Sequence, residues 1–131
     1  MTGRILVIED NVANLELITY LLRAFGYEVS TATDGSSGLE RARADTYDLV
    51  LTDILMPQLD GFKLAQQFKC DSRLASTPLV AITALAMTGD REKILAAGFD
   101  GYISKPIDPQ IFASQIEAFV RRKKRGESSD H

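Results

Sequence analysis

Apolar residues alternate along this chain between two spacings. Arg4-Ile5-Leu6-Val7-Ile8 is a continuous, β-branched apolar run, the pattern of a strand covered on both faces. Leu15, Ile18, Leu22 and Phe25 follow at helical spacing, with Leu17 and Leu21 beside them and Gly26 after them. They predict an amphipathic helix with a glycine stop. Tyr27 to Ala32 reads as a second strand, and Asp34 as the N-cap of a helix over roughly 35–45. Leu49 to Thr52 is the third strand. It delivers Asp53 to its end, and the stretch breaks at Pro57. Beyond Asp60-Gly61, the residues Phe62, Leu64, Ala65 and Phe68 mark another helix. Thr77-Pro78 opens a fourth strand, Leu79–Thr83, because the residue before proline is driven toward extended geometry. An Ala-rich helix over about 88–97 stops at Gly98, Gly101–Ser104 is a short fifth strand, and Ile111, Phe112, Ile116, Phe119 and Val120 mark the last helix.

Five strands alternating with five helices predict an α/β fold, a parallel sheet with helices on both faces. In such sheets ligands bind beyond the carboxyl ends of the strands. Apolar periodicity covers residues 1–120, the expected domain. Residues 121–131 lack it and are expected to form a basic, flexible tail.

Composition narrows the function. With 131 residues, one domain can bury a core without disulfides. The single cysteine, Cys70, cannot pair within the chain, and His131 is the one histidine. Zinc chemistry is disfavoured on that account. No signal peptide or membrane span is visible, so a cytoplasmic location is expected. The net charge of −3 combines an acidic body with the cationic run Arg121-Arg122-Lys123-Lys124-Arg125. An acidic body does not favour nucleic acid as partner. The basic run reads first as a solvated helix end whose cations complement the dipole, and only second as a binder of membrane or nucleic acid. Met56 and Met87 read as packing residues.

The chemistry-bearing residues collect at the predicted strand ends. Strand one ends in Glu9-Asp10, strand three in Asp53, strand four in Thr83 and strand five in Lys105-Pro106. If strands one and three are neighbours, three carboxylates converge. Like charges at short range resist joint ionisation unless a cation joins them. Hard oxygen donors, incompletely supplied by protein, suit Mg²⁺. A carboxylate beside Mg²⁺ can act as nucleophile in aspartyl-phosphate chemistry. Phosphoryl transfer needs mainly positioning and charge neutralisation, which a lysine and a threonine hydroxyl can assist. Tyr102 reads on its own as a packed aromatic. Each strand-end residue alone also has a bland reading: Asp53 as a strand-end cap, Thr83 as a β-former, Lys105 as a surface lysine. Their joint placement favours the chemical reading.

Five segments in this order resemble the receiver domains of two-component response regulators over about residues 4–120, of the stand-alone, chemotaxis-regulator-like type. They are Ile8-Glu9-Asp10-Asn11, Leu51–Pro57, Asp60-Gly61, Ala81-Ile82-Thr83-Ala84 and Gly98–Pro106. The resemblance implies a flavodoxin-like sheet of strand order 2-1-3-4-5. It implies that Asp53 is the phosphoacceptor and that Glu9, Asp10, Asp53 and the carbonyl of Leu55 surround Mg²⁺. It further implies that Thr83 and Lys105 bind the phosphoryl group, that Thr83 and Tyr102 form a switch, and that Lys105-Pro106 is a cis peptide. Glu9 departs mildly from the family, in which aspartate is commoner there.

The expected function is a phosphoacceptor module, not an enzyme. Its partners would be a sensor histidine kinase or a histidine phosphotransfer protein, and a downstream protein reached through the face made by the fourth helix, fifth strand and fifth helix. With no effector domain after residue 131, output would be a protein contact. A relay intermediate passing phosphate onward is the alternative within that class, and a pseudo-receiver that never takes phosphate is a second. A Mg²⁺-dependent phosphatase with an aspartyl intermediate is disfavoured, because Leu55 stands where a second acid is needed. Leu55 and Leu85 are also expected to exclude attacking water and so slow self-dephosphorylation.

Overall fold

A computed structural model describes residues 3–54, 61–84 and 88–129. Their elements are β1 (Arg4–Ile8), α1 (Val12–Ala24), β2 (Glu28–Ala32), α2 (Gly35–Ala44), β3 (Leu49–Asp53), α3 (Gly61–Cys70), β4 (Leu79–Thr83), α4 (Thr88–Ala96), β5 (Gly101–Ser104) and α5 (Pro109–Ser129). All strand pairings are parallel, in the order β2-β1-β3-β4-β5. This is the flavodoxin-like arrangement, with its crossover between β1 and β3. β3 runs one residue further than the apolar run alone predicts, so Asp53 is itself a ladder residue paired with Ile82. α5 carries through the basic run as far as Ser129, consistent with the good helix propensity of arginine and lysine.

Alternation along the strands divides the core. Leu6, Ile8, Val50, Leu79 and Ala81 pack with Leu39, Leu64, Phe68 and Ile94, on the side of α2, α3 and α4. Ile5, Val7, Leu51, Val80, Ile82 and Ile103 pack with Ile18, Leu22, Phe112 and Ile116, on the side of α1 and α5. Side chains of successive strand residues point to opposite faces, so every central strand must be apolar throughout, as β1, β3 and β4 nearly are.

Local chemistry fixes the helix starts. The Asn11 side chain caps α1 by accepting from Asn14 N at 3.0 Å, and Asp34 caps α2 by accepting from Ser37 N at 2.7 Å. Two glycines set close approaches. A Cβ on Gly38 would lie 2.6 Å from Ile8 Cγ1, so α2 rests directly on β1. Gly98 has φ +111°, a left-handed conformation that turns the chain into β5. Just after it, Asp100 Oδ2 accepts from Leu79 N at 2.7 Å and from Lys69 Nζ at 3.2 Å. That carboxylate ties the entry of β5 to β4 and the end of α3.

Candidate functional site

The register brings the acids together. β1 pairs with β3 through Ile8↔Thr52, so the next residues, Glu9 and Asp53, arrive level at the carboxyl edge. Oxygen atoms of Glu9, Asp10 and Asp53 all lie within 4.8 Å of one another. β4 brings Thr83 to the same edge, one residue beyond the partner of Asp53, and Thr83 is buried. β5 pairs Thr83 with Ser104, and Lys105 N donates to Thr83 O at 2.9 Å. From that anchored backbone, Lys105 Nζ reaches Asp53 Oδ2 at 3.2 Å and Glu9 Oε2 at 3.8 Å. The Lys105–Pro106 peptide is cis.

Burial sets the electrostatics. Glu9 is 1% exposed and Asp53 7%, whereas Asp10 is exposed. Desolvation pushes the Glu9 carboxyl above its ordinary value, and the neighbouring Asp53 charge pushes the same way. One Glu9 oxygen accepts from Asn11 N at 3.2 Å. The other, Oε2, is buried without a hydrogen-bond partner; at 3.8 Å the lysine is within ion-pair reach but too far to donate. A buried carboxylate oxygen left this way is costly unless something positive completes it. Three carboxylates, one exposed toward solvent and one carrying an orphaned oxygen, form a donor set that fits a hard divalent cation retaining water.

Tyr102 sits two residues back from the edge on β5, opposite Ala81. It is half-buried against the core side of α2, α3 and α4, and Arg91 of α4 lies over its ring at 5.6 Å from the centroid. Glu9, Asp10, Asp53 and Lys105 are thus assembled directly, Thr83 stands on the adjacent strand end, and Tyr102 is further in. Leu55, Met56, Pro57, Asp60, Leu85, Met87 and His131 lie outside the described residues. Sequence reasoning missed two contributors. Asn11 holds Glu9 through its own N–H while capping α1; an Asn immediately before a helical apolar run was the available signal. Arg91 had none, because its role depends on a ring 11 positions away in the chain.

Comparison with known proteins gives this constellation a lineage. The family model for the response regulator receiver domain matches residues 5–117. The chain belongs to the response regulator receiver domains. The Brucella ovis polar-differentiation response regulator DivK is 38% identical over 120 residues, spanning 92% of this chain and 98% of DivK. The Caulobacter vibrioides response regulator PleD is 40% identical over 123 residues, 94% of this chain but 27% of PleD. Among solved structures, the receiver domain of the Pseudomonas aeruginosa sensor histidine kinase PA1611 superposes with TM-score 0.84. It is 32% identical, with 92% of this chain and 98% of that one covered, and has a magnesium ion coordinated in its active site cleft. A CheY-like receiver protein of Methanospirillum hungatei gives TM-score 0.86 at 26% identity, covering 96% of this chain and 99% of that one. Receiver domains are signalling modules, and this receiver carries the family's acid cluster. No helix among the described residues is long and apolar enough to cross a membrane.

Proposed function

We propose that this receiver accepts a phosphoryl group on Asp53, with Mg²⁺ held by Asp10, Asp53 and, through water, Glu9. The observation that carries the reading is the convergence of Glu9, Asp10 and Asp53, with Lys105 on Asp53, at one edge of the sheet. An Asp53 carboxylate oxygen attacks the phosphorus of a phosphohistidine. The O–P bond forms, the N–P bond breaks, and the departing imidazole takes up a proton. Mg²⁺, when bound, supplies charge neutralisation at the transferring oxygens. Lys105 neutralises a further phosphoryl oxygen, and Thr83 donates its hydroxyl to another. Attraction of Thr83 toward the phosphoryl group frees space into which Tyr102 turns. The balance between two arrangements of the α4–β5–α5 face then shifts. That face is read by a downstream protein, and the donor is a sensor histidine kinase or a histidine phosphotransfer protein of the cytoplasm. Retention of all three acids and the lysine speaks against a pseudo-receiver. Whether the chain regulates output or relays phosphate onward is decided by its partners.

Incubation with a small phosphodonor and Mg²⁺ tests the assignment. The parent should form an acid-stable, alkali-labile phosphoprotein, and Asp53→Asn should not. Undiminished labelling of Asp53→Asn would falsify Asp53 as the acceptor.

A further inference from the structure

Three of the five exposed large hydrophobic residues among those described lie on α1: Val12, Leu17 and Tyr20, the last 72% exposed. The other two, Leu95 and Ile111, lie singly on α4 and α5. Beside Tyr20 a groove of about 630 Å³ runs between α1 and the edge strand β2, with Leu15, Glu16, Thr19, Arg23 and Thr31 among its walls. A projecting aromatic ring thus stands on the rim of an apolar groove. Neither Glu16 nor Arg23, both exposed on α1, has an ion-pair partner among the described residues.

The charge order decides what fits. Glu16 and Arg23 are seven residues apart, roughly 10 Å along the helix axis. If two copies of α1 meet antiparallel about a two-fold axis passing between residues 19 and 20, each Glu16 faces the partner's Arg23. Each Tyr20 then faces the partner's Thr19. An isologous contact requires this reciprocity, residue i against j and j against i. The α1 face already has it, whereas any other partner would have to bring the complementary charges itself.

We propose that α1 is a self-association surface, in which two copies of this chain pack their first helices antiparallel and each seats its Tyr20 in the other's groove. A single helix face with one groove is a small interface, of the transient class. Association should fall between roughly 10 µM and 1 mM. The inference does not depend on the chemistry of Asp53.

Analytical ultracentrifugation of the full chain across that range tests it. The parent should show a concentration-dependent monomer–dimer equilibrium. Glu16→Arg alone, and Arg23→Glu alone, should each weaken it by at least about tenfold, since like charges then face each other. An equimolar mixture of the two single variants should recover dimer, because both facing pairs become attractive again. The double variant Glu16→Arg with Arg23→Glu should recover it without mixing, and Tyr20→Ala should lose it. A parent that stays monomeric throughout overturns the proposal. So does a dimer indifferent to the single charge reversals, or a mixture of single variants that remains monomeric.

Discussion

Glu9 is nearly inaccessible, yet one of its two oxygens has no hydrogen-bond donor. Its side chain turns Oε1 back to Asn11 N, while Oε2 lies 3.8 Å from Lys105 Nζ. Lys105 offsets part of the negative charge, but one ammonium group stands against three carboxylates. A divalent cation should therefore bind the native state and stabilise it by mass action, by about 1.4 kcal/mol at ten times its dissociation constant. Millimolar Mg²⁺ should raise the melting midpoint of the parent. Asp10→Asn should lose most of that increment while melting no lower in the absence of metal, since one of three like charges has gone. An undiminished Mg²⁺ increment in Asp10→Asn would remove that side chain from the metal site. The acids were legible in the sequence because Glu9-Asp10 and Asp53 stand where apolar strand runs end. Asn11 was readable as a helix cap, but its backbone N–H contact to Glu9 leaves no residue pattern, and neither does the Arg91 ring stack.

Among the elements, α2 rests on β1 at a glycine. Gly38 is buried, and the side chain of Ile8 fills the space where its Cβ would stand. Gly38→Ala gains helix propensity of up to about 1 kcal/mol, but forces α2 off β1 or Ile8 out of its rotamer, at about 1–3 kcal/mol. Overpacking wins because Ile8 is itself buried among Leu6, Ala32 and Leu39 and has nowhere to move. The melting midpoint should fall by several degrees, and an equal or higher midpoint would show that the contact relaxes freely. Most element boundaries were readable within a residue or two, since β1, β3 and β4 are apolar runs, α1, α3 and α5 carry spaced apolar positions, and capping or turn residues such as Asp34, Gly26 and Gly98 mark several ends. The exceptions have physical causes. Asp53 belongs to β3 through backbone pairing with β4, which side-chain polarity does not report. α5 outlasts its apolar stripe, because helix propensity persists where burial stops.

Across the whole molecule, chemistry and structural ion pairing occupy opposite ends of the sheet. The acid cluster lies at the carboxyl edge. At the other edge Asp71, just after α3, accepts from Arg43 Nε at 2.9 Å and from Arg73 N at 2.9 Å, linking α2 to the connection into β4. The backbone bond from Arg73, then the bonds from the Arg43 and Arg73 guanidinium groups, lower its carboxyl from the ordinary 3.8 to about 2. A carboxyl depressed in the folded state stabilises the fold above its unfolded value, and that contribution disappears as pH falls through the folded value. Asp71→Asn should therefore melt below the parent at neutral pH, with the deficit steady down to about pH 4 and closing between pH 4 and 2. Sites this far apart with no shared partner behave additively. The Mg²⁺ increment in melting midpoint should then be the same in Asp71→Asn as in the parent, although the parent itself melts higher. A reduced increment would mean that the two edges communicate through the central strands. A deficit that stayed constant down to pH 2 would mean that Asp71 acts through packing, with no part played by its charge.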